Sequence, residues 1–186
     1  MRSSRFQKNG PKETRVTKGD IQQLLQKTFR SHPPPSGDDL VSARGEAKTA
    51  RAIRDLFTGR RWYELDPEFV VSKADMLWSM APEGQRYYIP AFLLATFHAP
   101  KDWVYTNNLL LSLFLPLRNE DDPAREEFVR FLDVLTPAEK SAIRVFLDYT
   151  AAEHPSQGER GAAKLALSVL WRKFEIISIE RDRKSA

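Results

Sequence analysis

Arg86, Tyr87 and Tyr88 are consecutive, and Glu83 stands three residues before them. These residue types can do chemistry together. A guanidinium offers five N–H donors to an anionic group, and a phenol can give or take a proton in a reaction. On this reading Arg86 grips an anion, a tyrosine handles the proton and Glu83 completes the pocket. The surrounding residues support a plainer reading. The stretch PEGQRYYIPAFLLATF, residues 82–97, turns almost wholly apolar after Tyr88. In one continuous helix Pro90 would orphan the carbonyl of Arg86 and clash with it, at a cost of about 3 kcal/mol. A break or kink is therefore predicted, with Pro90 in the first turn of a second helix. Glu83, Gln85 and Arg86 then sit on an exposed first turn, and Ile89, Phe92, Leu93, Thr96 and Phe97 form a buried face. Arg86 and the tyrosines serve the carbonyls that the junction frees, as a polar seal. This second reading is the cheaper one.

Other reactive sets are scarce. The three histidines, His32, His98 and His154, all fall at predicted helix ends, where imidazole can bond the last carbonyls. No two of them have the i, i+4 spacing of a paired-His metal site. The eight glycines are scattered, with no phosphate-cradling loop and no nucleophile elbow. With no cysteine in the chain, disulfides, thiolate catalysis and Cys-based metal sites are excluded. The acidic pairs Asp38–Asp39 and Asp121–Asp122 precede helices and read as caps. In GRRW, residues 59–62, Trp62 reads as a core plug and the two arginines as partners of a helix C-terminus. No catalytic residue, metal site or cofactor is assigned.

The formal net charge of +4 is unevenly placed. Residues 1–18 hold Arg2, Arg5, Lys8, Lys12, Arg15 and Lys18 against Glu13, so the rest of the chain is close to neutral. Those six cations are the candidate nucleic-acid contacts, through phosphate. They lack interleaved aromatics, and a solvated, disordered basic arm is the simpler expectation. No apolar run follows the arm, so it is not a secretory signal, and no run is long enough to span a bilayer. These features lead us to expect a cytoplasmic protein without membrane contact.

The elements that must position these groups are helical. Ile21, Leu24, Leu25 and Phe29 make one face of a helix that Thr17 or Asp20 can cap. HPPPSGDD stops it as a rigid spacer. Ala50, Ile53 and Phe57 line a second helix, with Gly59 placed for a left-handed cap. Asp66–Pro67 and Asp122–Pro123 are cap-then-proline starts. Asn107 or Thr106 is expected to cap a helix ending at Pro116. Thr136, Pro137 and Glu139 form a capping box before a long helix. SQGERG reads as a turn and AAKLALSVLWRKF as the closing helix. No hairpin or alternating strand signal occurs. We therefore expect an all-α fold, a single globular domain of about seven helices in an irregular orthogonal bundle. Its expected limits are residues 19–178, between the basic arm of 1–18 and a charged tail at 179–186.

On four segments the chain resembles a family of uncharacterised bacterial proteins, domain of unknown function 6714. They are GRRWYEL (59–65), MAPEGQRYYIPAFLLATF (80–97), LTPAEKSAIRVFLDY (135–149) and AAKLALSVLW (162–171). The likeness covers roughly residues 20–171. Gln85 departs from it, standing where an aromatic is expected. The resemblance implies a small bacterial cytoplasmic domain and carries no catalytic residue. Our leading expectation is a non-enzymatic interaction module with a protein partner, of immunity or regulatory type. The alternatives are a small-ligand binder or enzyme with its pocket at Glu83, Arg86, Tyr87 and Tyr88, and nucleic-acid binding through the arm.

Overall fold

The computed structural model describes residues 16–42, 46–98, 103–117 and 124–174. Among these the fold is all-α, as expected, with eight α-helices and no strand. They are α1 (Lys18–Phe29), α2 (Ala47–Phe57), α3 (Pro67–Ser72), α4 (Pro82–Ala95), α5 (Trp103–Ser112), α6 (Ala124–Val134), α7 (Pro137–Glu153) and α8 (Gln157–Val169). Short 3-10 helices at Trp62–Glu64, Ala74–Ser79, Leu115–Leu117 and Trp171–Lys173 join them. The start at Asp122–Pro123, the segment EIISIE and the charged tail lie outside the described residues.

Several local signals act as their chemistry predicts. Thr17 caps α1 in a capping box with Asp20, and Thr136 caps α7 in a box with Glu139. Asp66 caps α3 ahead of Pro67. Gly59 takes φ 74°, the left-handed conformation that side chains resist. Trp62 is fully buried and Arg60 donates to the Leu56 carbonyl in the last turn of α2, as expected, whereas Arg61 pairs with Glu64 and not with a helix end.

The core wraps around α4. This helix packs against α1, α3 and α6, while α7 packs against α1 and α8. Every residue from Tyr87 to Leu93 is buried. Here the predicted break at Pro90 fails: α4 runs unbroken from Pro82 to Ala95 with Pro90 inside it. Proline's cost of about 3 kcal/mol is set against the burial of Tyr88, Ile89, Phe92 and Leu93. Each large side chain is worth roughly 1.5–3 kcal/mol once enclosed, so tertiary packing outweighs the local defect.

Three further boundaries differ from the sequence reading. Helix α5 begins at Trp103, which leaves Thr106 and Asn107 inside it rather than at its cap. Helix α8 begins at Gln157, so the expected turn SQGERG is mostly its first turns. Ahead of α4, residues 40–41 lie beside 80–81, with a Val41–Met80 bridge and a 3.0 Å bond from Ala81 N–H to the Leu40 carbonyl. Gly84 permits this approach: a Cβ there would stand 3.2 Å from the Leu40 oxygen.

Candidate functional site

The four expected site residues do not line one pocket. Glu83 is exposed in the first turn of α4, and among the described residues no hydrogen bond or ion pair joins it to the other three. Arg86 turns toward α7. Its Nε donates to both oxygens of Glu139, at 2.9 and 3.1 Å. Its Nη2 lies 2.9 Å from Nε2 of His32, just past the end of α1. His32 Nε2 is also 3.0 Å from Glu139 Oε1. The Glu139 side chain is 1% exposed, against 25% for Arg86 and 32% for His32. Its Oε2 accepts a further bond from Thr136 N–H at 2.7 Å, which is half of the α7 capping box. One carboxylate in the first turn of α7 thus ties that helix to α4 and to the segment just past α1.

The tyrosines are engaged on the other side of α4. The Tyr88 hydroxyl lies 2.6 Å from the carbonyl of Phe57 and 2.8 Å from that of Arg60. Helix α2 ends at Phe57, so the phenol proton serves its last carbonyl and that of Arg60 in the turn beyond it. The Tyr88 ring meets Phe57 and Tyr87 edge-on, at 5.0 and 4.9 Å between centroids. Burial pushes the Tyr88 phenol well above its ordinary range, with Tyr87 adding to the rise. Tyr87 is also raised by burial, opposed by a hydrogen bond from the Trp62 backbone. Both phenols are held in their neutral, hydrogen-bonding form.

Of the candidate nucleic-acid contacts, Arg2, Arg5, Lys8, Lys12 and Arg15 lie outside the described residues. Lys18 is the first residue of α1. Its ammonium donates to the Phe97 carbonyl at 2.8 Å and lies over the Phe97 ring, so it closes the end of α4. His154 is the C-cap of α7, where Nδ1 accepts from Ser156 N–H rather than serving a carbonyl. Among the described residues no group of three metal-ligating side chains converges.

The residue that sequence reasoning misplaced is Gln85. It was expected on an exposed turn, and it is 1% exposed. Its Nε2 donates to the Met80 carbonyl at 2.9 Å, which fixes the orientation of the amide. Its Oε1 is buried and accepts nothing. Gln85 lines a cavity of about 390 Å³ between α4, α5 and α6. Trp78 and Phe128 are among its lining residues, their rings packed against each other with centroids 6.0 Å apart. Leu111, Leu115 and Pro116 make it mainly apolar, and Asn108 and Glu127 supply polar groups. A second concavity, wide and open, lies along α7 and α8 between Asp148, Arg160, Lys164, Leu165 and Arg172.

The family profile that matches residues 20–175 describes a family of unknown function, DUF6714. The chain belongs to DUF6714. The match spans α1 to the last 3-10 helix, so the family unit and the described fold coincide. No curated protein and no solved structure matches the chain. For a DUF6714 domain, then, the geometry of the cavity and of the polar cluster is the guide to function.

Proposed function

We propose that this DUF6714 domain is a non-enzymatic binding module that takes up a small molecule in the cavity between α4, α5 and α6. The observation that carries the reading is the cavity itself, about 390 Å³ and walled mainly by apolar side chains, with Asn108, Ser112 and Glu127 among its polar lining residues. The volume falls within the roughly 300–1,000 Å³ of small-molecule sites. The absence of catalysis at Arg86 and the tyrosines is supported by their engagement: guanidinium and phenol groups already hold protein partners. The test is ligand-detected NMR with a set of small uncharged aromatic fragments on the full chain. Saturable one-to-one binding that Ala124→Trp abolishes is the expected result. Failure of every fragment to saturate removes the reading.

A protein partner is a second reading, on a different face. Leu165 is 47% exposed, and Lys164, Arg160 and Arg172 surround it with one acidic neighbour, Asp148. An acidic peptide segment carrying one apolar side chain fits this combination. Binding of a Glu-rich peptide with a central Leu should weaken with salt and vanish when Lys164 and Arg172 are both changed to Glu. Binding indifferent to that double change removes the reading.

A further inference from the structure

We propose that His32 is a proton-operated latch between α4 and α7: in the neutral ring Nε2 accepts a hydrogen bond from Arg86, and in the protonated ring the same atom donates one to Glu139. Position sets up the choice. His32 Nε2 is 2.9 Å from Nη2 of Arg86 and 3.0 Å from Oε1 of Glu139. A guanidinium only donates and an ionised carboxylate only accepts. One ring nitrogen therefore bonds one of them at a time. Bare, it serves Arg86; carrying a hydrogen, it serves Glu139.

The remaining partners decide where the neutral ring keeps its hydrogen. Glu139 already accepts from Arg86 Nε at both oxygens and from Thr136 N–H at 2.7 Å. Arg86 Nη2 has His32 as its one hydrogen-bond partner among the described residues. A bare Nε2 satisfies that donor, whereas a hydrogen on Nε2 would set N–H against N–H across 2.9 Å. The neutral ring thus carries its hydrogen on Nδ1. The His32 side chain is 32% exposed, so protons reach it from solvent. A proton added to the Nε2 lone pair breaks no covalent bond, but it ends the hydrogen bond from Arg86. It also gives a charged donor to a carboxylate that is 1% exposed, where such bonds are strongest. The charges that face His32 are Arg86 from α4 and Glu139 from α7. On its own side, Lys27 stands in the last turn of α1 and Arg30 lies over the Tyr63 ring. The segment just past α1 therefore changes its anchor from α4 to α7 when it takes up a proton.

Nitrogen-15 NMR of the full chain tests the latch. In the neutral ring the Nδ1–H form should outnumber the Nε2–H form by at least tenfold, the preference that one hydrogen bond from a charged donor confers. Arg86→Met should reverse the excess, because Glu139 is then the partner that remains. In the unaltered protein the Arg86 Nη resonances should move with the same midpoint as the His32 ring when the pH is lowered. In His32→Gln they should stay still over that range. A neutral ring with Nε2–H in excess overturns the assignment of Arg86 as its donor, and so does an Nδ1–H excess that survives Arg86→Met. Arg86 resonances that do not follow the ring, or that still move in His32→Gln, overturn the exchange of partners. The two measurements on the unaltered protein decide the matter even where Arg86→Met does not fold.

Discussion

Replacing Arg86 with Met is the most direct test of the polar cluster. The change keeps the length and apolar stem of the side chain and removes its charge. Glu139 is then left 1% exposed without its bidentate partner. Removing one member of a buried ion pair costs roughly 3–5 kcal/mol, mostly as the penalty of the stranded charge. Two groups remain on the carboxylate: Thr136 N–H at 2.7 Å and His32 Nε2 at 3.0 Å. Those partners and the partial exposure of Arg86 place the loss at the low end, about 3 kcal/mol. For a chain of this length that corresponds to a fall of about 6–12 °C in Tm. Urea titration followed by far-UV circular dichroism gives the free energy, and the m-value checks that unfolding stays two-state.

The diagnostic is a double-mutant cycle with Glu139→Gln. If Arg86 and Glu139 act as a pair, the double variant should lose less stability than the two single losses added together, by more than 1 kcal/mol. The amide introduced by Glu139→Gln carries no charge to strand, although it can no longer accept at both atoms from Arg86 and Thr136 as the carboxylate does. Additive losses would refute the reasoning. So would a loss below 1 kcal/mol for Arg86→Met alone, since a solvent-screened pair is worth about that little.

The other expectations concern the same helix and its neighbours. Tyr88→Phe should cost about 1–2 kcal/mol, because the carbonyls of Phe57 and Arg60 lose a shared buried donor; urea midpoints read it directly. Burial raises the Tyr88 phenol in the folded state, so its contribution is fully present below the unfolded value of about 10 and is lost as pH rises above it. The stability of the unaltered protein should therefore fall above about pH 10, and Tyr88→Phe should flatten that fall; identical alkaline limbs would count against the buried phenol. Gly84→Ala gains helix propensity of up to about 1 kcal/mol but sets a Cβ 3.2 Å from the Leu40 oxygen, which the Ala81 N–H already fixes. A net loss of about 1 kcal/mol is expected, and a rise in Tm would show that residues 40–41 yield. Thr136→Ala removes the α7 cap and should cost about 1 kcal/mol in the same assay.

Much of the fold was legible because its signals are local. A capping box needs four residues, and those at Thr17 and Thr136 are written out in full. The Asp66–Pro67 start and the left-handed Gly59 are equally short-range. Boundaries failed where distant packing decides. Pro90 reads locally as a break, yet the burial of Tyr87 to Leu93 on all sides holds α4 together. Ser156 to Gly161 has turn composition, yet Glu159, Ala162 and Ala163 are buried, and their burial draws the helix forward. Local propensity is a weak prior of this kind, routinely overridden by tertiary context.

The candidate site was legible in part, for the same reason. The sequence pointed to Arg86 as a seal over carbonyls freed at Pro90, but α4 is unbroken there and Arg86 instead meets two side chains that no spacing reveals: Glu139, 53 residues away, and His32, 54 residues away. Glu139 even carries a local explanation, the capping box, that hides its second role. Gln85 and Arg86 are neighbours in sequence but stand about 100° apart around a helix. That rotation turns Arg86 toward α7 and Gln85 toward the cavity beside α5 and α6. The stretch therefore divides its work: Arg86 and the tyrosines have protein partners, and the amide between Gly84 and Arg86 keeps one acceptor unspent. A search for chemistry by residue type settles on the charged and aromatic members. The unsatisfied group is the uncharged one, and finding it requires accounting for every buried donor and acceptor in three dimensions.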